Sequence, residues 1–265
     1  MDAVKYTTIS IEREGRRATL LLNRPDKLNA FNWTMVKELR ASVTALEAER
    51  DIVVVVVRGR GRAFSAGGDL DEFIRLYRDP TSIRGFCSDF FEALTAIEAS
   101  RQIYVAAING VCVAGGIELL LACDTALAAQ SVRIGDGHLN FGQLPGAGGS
   151  QRLPRLIGLR RAKQLMLTAE LLDAREAERI GLVNAVYPDV DFDRALDAYV
   201  DRMSRKSAAG LAGAKRMLGL GVLNGLKEGL RREIDIFLDY VTGNPDAMEG
   251  LLAFKEKRQP HFGGA

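Results

Sequence analysis

Histidine is almost missing from this chain. His138 and His261 are the two present in 265 residues, too few and too far apart for a histidine-based zinc site, so no metal is expected. Cysteine is scarce as well. Cys87, Cys112 and Cys123 are an odd set without C-x-x-C spacing, which excludes a disulfide framework and suits free thiols in a reducing compartment. Neither charge sign is in excess, with 36 Lys and Arg against 34 Asp and Glu. No basic field is available to hold nucleic acid, and none is expected as a partner. Apolar runs such as LLLNRP and VVVVV are far shorter than the roughly 20 residues that span a bilayer, so no membrane partner is expected. The start, MDAVKYTTIS, lacks the basic and apolar regions of a secretory leader. These absences together point to a cytoplasmic protein.

Several catalytic signatures are also missing. The chain has no G-x-x-x-x-G-K-[ST], no G-x-S-x-G and no H-E-x-x-H. Gly59 and Gly61 resemble the start of a dinucleotide fingerprint, but the third glycine is not at its place.

What is present is an ordinary globular balance, 47% hydrophobic and 26% charged. TTISIERE and ATLLLNR read as a hairpin around Gly15. LNAFNWTMVKELRASVTALEAE has helical spacing, with Asn32 or Thr34 as its cap. DIVVVVVRG suits a strand buried on both faces. AFSAGGDL reads as a loop, residues 82–98 as a helix, YVAAINGVCVAGG as a second buried strand and GIELLLACD as a core helix. TALAAQ and RIGD read as strand ends. Later segments, including much of 192–257, read as helices, and no internal repeat is visible. The first part alternates strand and helix and the last third is helical. The expectation is an α/β fold with a helical C-terminal segment.

Two strand-to-loop junctions stand out, VVVVVRGRGRAFSAGGDL and VAAINGVCVAGGIEL. Glycines there let a ligand approach the backbone, and N–H groups at a helix start carry positive potential. One N–H from each junction is enough to hold a developing oxyanion. The plainer reading is a pair of tight turns. Glu118 bears on this choice, because it lies in an apolar helix one turn from Gly115. An unpartnered carboxylate is costly there. The alternative is a first-turn Glu favoured by the helix dipole.

Six segments in order carry a family resemblance: NRPDKLNAF at 23–31, GRAFSAGGDL at 61–70, INGVCVAGGIELLLACD at 108–124, LPGAGGSQRLPRLIG at 144–158, A-x-x-x-G-L-V at 177–183 and AFKEKRQPHF at 253–262. On these the chain resembles the crotonase superfamily, the enoyl-CoA hydratase/isomerase family. The resemblance implies an α/β crotonase-like fold of repeated ββα units, with residues 1–195 as the core and residues 196–265 as a helical trimerisation segment. It implies an acyl-CoA thioester substrate, no cofactor beyond the coenzyme A of that thioester, and a homotrimer or dimer of trimers. Ala66 and Gly115 are implied as the oxyanion hole. Lys27, Leu28, Ala30, Asp69, Leu70, Phe254 and Lys257 are implied contacts to coenzyme A. Where relatives often have Lys directly after the Pro of this loop, this chain has Asp26, with Lys27 next.

Hydratases of this family use two glutamates. The first matches Glu118. The second lies seven residues before the Pro of the PGAGG turn, and that place is His138 here. Imidazole serves as acid or base near neutrality, so a Glu–His pair can still hydrate an enoyl-CoA. Moving a double bond needs one base, so an isomerase stays open, as do an acyl-CoA hydrolase and a non-catalytic CoA-binding scaffold. Asp136 reads first as a turn residue in GDG, and second as an orienting partner or substitute acid. His261 reads as an exposed tail residue.

Overall fold

The structure, a computed structural model, describes residues 6–263, with 221–224 described by their backbone only. Residues 1–5, where the reading for a leader begins, lie outside the described residues, as do residues 264–265. The chain opens with the expected hairpin, β1 (Ile9–Glu14) and β2 (Arg17–Leu22), paired antiparallel from Ile9 with Leu22 to Glu14 with Arg17. Alternation buries Ala18, Leu20 and Leu22 on one face of β2. Helix α1 (Trp33–Ala48) is capped by Asn32, whose Oδ1 accepts the Met35 N–H at 2.9 Å, while Thr34 already lies inside the first turn.

ββα units follow. The first runs β3 (Val54–Gly59), β4 (Ala63–Ser65), α2 (Leu70–Leu76) and α3 (Pro80–Ala99). The second runs β5 (Ile103–Ile108), β6 (Val111–Val113) and α4 (Gly115–Ala122). The third runs β7 (Thr125–Ala129), β8 (Arg133–Gly135), a 3-10 turn His138–Phe141, α5 (Gly149–Ile157) and α6 (Leu159–Thr168). Then come β9 (Leu172–Asp173), α7 (Ala174–Arg179) and β10 (Ala185–Tyr187). The chain closes with α8 (Phe192–Ser204), α9 (Ala208–Asn224), α10 (Leu226–Gly243) and α11 (Pro245–Lys255).

The first strand of each unit joins the hairpin in a six-stranded sheet of order β1-β2-β3-β5-β7-β10, parallel from β2 onward. The second strands, with β9 antiparallel beside β8, form another sheet, β4-β6-β8-β9. Val54–Val57 and all six residues of β5 are buried. Parallel strands covered on both faces need apolar side chains at every position, which is why these runs do not alternate. Each buried Val contributes about 1.5–3 kcal/mol. Helices α1 and α3 pack on each other.

The second sheet corrects two expectations. Ala63–Ser65 is a strand rather than loop, and YVAAINGVCVAGG is two strands rather than one. The break falls at Asn109–Gly110. The Asn109 Nδ2 donates to the carbonyls of Gly59 and Gly61, and its Oδ1 accepts the Gly59 N–H. A Cβ at residue 110 would lie 2.1 Å from the Arg62 carbonyl oxygen, so only glycine lets the chain cross there. The short helix α2 was not expected. The border expected between residues 195 and 196 falls inside α8, which packs on β3 and β7. The first helix beyond that border, α9, packs on α10 and also on β5.

Candidate active site

The two junctions are neighbours because β4 and β6 pair in the second sheet. At the first, Phe31 N–H donates to the Gly67 carbonyl at 2.7 Å and Asp69 N–H to the Phe31 carbonyl at 3.0 Å. A Cβ on Gly67, whose φ is +93°, would lie 2.6 Å from the Ala114 Cβ and 3.3 Å from the Gly115 N. Any side chain there would push the junctions apart. The Ala66 N–H, expected in the oxyanion hole, donates instead to the Leu28 carbonyl at 3.0 Å. The Gly67 N–H donates to Ser65 Oγ at 3.2 Å. Between Ala66 and Asp69 the amide without an acceptor among the described residues is that of Gly68.

At the second junction Ala114 has φ +50° and ψ −119°, a conformation rarely held by a residue with a side chain. Such a residue costs about 1–3 kcal/mol and persists only where its surroundings hold it. Here its N–H donates to the Asp136 carbonyl at 2.9 Å, and its carbonyl accepts from Ile117 and Glu118. The kink starts α4 at Gly115. The Gly115 N–H, at the positive end of the helix, has no acceptor among the described residues.

Glu118 is 3% exposed in a helix that is otherwise apolar. Its Oε1 accepts the N–H of Ala147 at 2.8 Å and of Gly149 at 2.9 Å. Both amides belong to the Gly-rich turn 145–149, so PGAGG is the cradle of this carboxylate. Burial raises the Glu118 pKa above the usual carboxylate range. The two amides and nearby His138 oppose the rise, and Asp136 adds to it. The second oxygen, Oε2, has no protein donor among the described residues.

His138 opens the 3-10 turn that follows β8. Its side chain is 11% exposed, and its Nδ1 lies 3.0 Å from Asp136 Oδ2. Its backbone N–H reaches Asp136 Oδ1 at 3.4 Å. Asp136 is 2% exposed. It is a buried partner, and the reading as a plain turn residue is overturned. Glu118, His138, Asp136 and the two junctions therefore form one cluster.

An aromatic wall stands beside it. A Cβ on Gly115 would touch the rings of Phe31 and Phe90, whose centroids are 4.7 Å apart. Phe86 and Phe73 extend the wall edge to face, ending at Tyr77, which bonds Gln143 of the loop before the PGAGG turn. Cys87 lies against Gly146, and burial together with the Glu118 charge pushes its thiol pKa up. Cys87 was read from the sequence only as a free thiol, and the amides of Ala147 and Gly149 were not singled out. The glycines of PGAGG were the one available signal.

The expected coenzyme A contacts fall into two groups. Lys27, Leu28 and Ala30 lie on the loop bonded to the first junction. Lys27 is exposed and 3.3 Å from Asp71, Leu28 is left-handed at φ +51°, and Ala30 is buried. Leu70 is exposed at the start of α2. Asp69 is different. Its carboxylate caps α2 through the Glu72 N–H and pairs with Arg24 at 2.8 Å, so its side chain ties the two loops together. Phe254 and Lys257 sit on or just after α11, which packs on α9 and α10 rather than beside α4 in the second unit. Phe254 is 88% exposed, and His261 is exposed as expected.

The family model described as Enoyl-CoA hydratase/isomerase matches residues 13–265. The chain belongs to that family. Among the family's members, a protein of Mycobacterium bovis named probable enoyl-CoA hydratase echA8 is 38% identical over 97% of this chain and 98% of its own. A crotonyl-CoA hydratase of Syntrophomonas wolfei is 34% identical over 97% of this chain and 98% of its own. The crystal structure of an enoyl-CoA hydratase from Bacillus anthracis superposes with a TM-score of 0.92 at 33% identity, covering 97% of this chain and 99% of that one. The fold is thus the crotonase fold of the family. Among the described residues, no helix is long and apolar enough to cross a membrane.

Proposed function

We propose that this chain adds water across the α,β-double bond of a 2-enoyl-CoA thioester. The observation that carries the reading is the buried Glu118 carboxyl, one oxygen held by two backbone amides, one helical turn from the free Gly115 N–H and beside His138. The thioester oxygen takes hydrogen bonds from the N–H groups of Gly68 and Gly115. These amides stabilise the enolate formed when water attacks Cβ. Glu118 and His138 are the acid/base pair that moves the two protons of the reaction. The relatives named as hydratases support the same reaction.

Coenzyme A runs over Lys27, Leu28, Ala30 and Leu70, and no further cofactor is used. Asp69 is not carried forward as a contact, because its carboxylate is already engaged. Phe254 and Lys257 reach the nucleotide end from a neighbouring copy. Leu226, Leu230, Ile234, Phe237 and Val241 form an exposed apolar stripe at helical spacing along α10. Such a stripe suits an interface between copies, in a trimer or a dimer of trimers. Free thiols at Cys87, Cys112 and Cys123 suit the cytoplasm.

The test is turnover of a panel of 2-enoyl-CoA esters in heavy-oxygen water, with products read by mass spectrometry. The expected product carries the label as a hydroxyl on Cβ. An unlabelled product with a shifted double bond, or label in a free acid, would replace this reading by isomerisation or hydrolysis.

A further inference from the structure

The proposed hydratase reaction leaves open which member of the pair takes the water proton and what Asp136 does. We infer that Asp136 is a positioning residue that holds His138 as the Nδ1–H tautomer, making its Nε2 the base for water and leaving Glu118 as the acid for Cα. The inference rests on the hydratase reading for its chemistry and on three features of the structure for its geometry.

First, the contact is specific. Asp136 meets His138 at two points, Oδ2 with Nδ1 at 3.0 Å and Oδ1 with the backbone N–H at 3.4 Å. A carboxylate that accepts this hydrogen bond takes it from an Nδ1 that carries the proton. The lone pair of a neutral ring is then on Nε2. Second, Asp136 is buried, and among the described residues His138 supplies both hydrogen bonds to its carboxylate. A carboxylate taken out of water at this cost needs its partner, and the partner in turn is held in one orientation. Third, the backbone of the same residue anchors the other half of the site. The Asp136 carbonyl accepts the Ala114 N–H at 2.9 Å, and Ala114 is the kinked residue that starts α4. One residue thus sets the second acid/base group through its side chain and the oxyanion helix through its main chain.

Glu118 takes the complementary role. With Oε1 fixed by the Ala147 and Gly149 amides, Oε2 is the oxygen that can carry a proton. Burial favours that protonated form. The water oxygen bonds to Cβ as its proton passes to His138 Nε2. The π electrons of the double bond move to the thioester oxygen, held by the Gly68 and Gly115 amides. The enolate then collapses, and Cα takes the proton from Glu118 Oε2. His138 is left protonated and Glu118 ionised, and a proton returns from one to the other through water as product leaves.

Two measurements on the full-length protein test this. The first is long-range proton–nitrogen correlation on protein with nitrogen-15 histidine, near about pH 8, where a free imidazole is neutral. His261→Gln assigns the signals. A His138 ring protonated on Nδ1 alone supports the inference. A ring protonated on Nε2, or on both nitrogens, overturns it. This reading needs no substrate and no variant at Asp136, so it stands even if the hydratase assignment fails or Asp136→Asn does not fold. The second is a pair of substitutions. Asp136→Asn lowers kcat by about 10²–10⁴-fold with KM changed less than about threefold. In the His138→Glu background, where the second group needs no tautomer, Asp136→Asn leaves kcat unchanged or raises it. An equal loss in both backgrounds would mean that Asp136 acts only through the fold, and would overturn the inference.

Discussion

The two strand-to-helix junctions are built alike and serve opposite ends. Each leaves a short strand of the second sheet, carries two adjacent glycines and leads into a helix, and each puts a buried carboxylate near that helix start. In AGGDL the acid follows the glycines directly, so Asp69 is the N-cap. It accepts the Glu72 N–H and pairs with Arg24 at 2.8 Å. Burial alone would raise its pKa, but Arg24 and the capping amide hold it below the usual range. In AGGIEL the helix already begins at Gly115 and one more residue intervenes, so Glu118 lies inside the helix. Among the described residues it receives two amides and no Lys or Arg, and burial wins. Where the helix starts relative to the glycines, together with a cation on one side only, separates a carboxylate with a lowered pKa from one with a raised pKa.

The largest expected effect breaks the reactive side of this comparison. Glu118→Gln keeps the shape and the Ala147 and Gly149 contacts but removes the transferable proton. It should lower kcat on enoyl-CoA by about 10²–10⁴-fold with little change in KM. Undiminished turnover would sink the assignment of Glu118. Next is the structural side. Asp69→Asn leaves Arg24 without its charged partner and should cost about 3 kcal/mol, read from urea unfolding midpoints at unchanged slope.

The pH dependence of stability sharpens the contrast, because the two signs differ. Asp69 has a lowered folded pKa. Its contribution is present above the unfolded carboxylate value of about 4 and is lost as pH falls through the folded value. Glu118 has a raised folded pKa. Its contribution is present below the unfolded value and is lost as pH rises through the folded one. The deficit of Asp69→Asn should therefore shrink toward acid pH. Glu118→Gln should gain stability over wild type as pH rises from about 4 toward neutrality, by roughly 0.5–2 kcal/mol. Parallel unfolding series across that window check both. The smallest effect is expected at the rim. Lys27→Ala removes an exposed charge near Asp71 and should raise KM about two- to fivefold, with kcat unchanged and the difference fading at high salt.

Much of this was legible in the chain. The VVVVV run declared a strand covered on both faces, Asn32 declared a cap, and GGIE set in apolar sequence marked a carboxylate that the fold buries. The places where the reading failed have a common cause. Ala63–Ser65 is three residues long and has no period to detect. It is a strand only because β6 lies beside it. YVAAINGVCVAGG reads as one apolar run because nothing local shows that Asn109 must bond Gly59 and Gly61. Ala66 satisfied the motif, yet its N–H was already taken by Leu28, a residue 38 positions earlier. Asp136 looked like a turn residue because GDG is turn chemistry, and its burial depends on what closes over it.

The sequence by itself determined the family, the alternation of buried strands and helices, and the presence of one glutamate where hydratases have two. Those are written in residue type and order along the chain. Only the tertiary structure decided which amides are free, which carboxylate has a cation and which way the His138 ring is held. Each of those depends on a hydrogen-bond partner brought from elsewhere in the fold or by a turn's conformation. A group's proton affinity follows the partners and water around it, and these exist only once the sheets have packed.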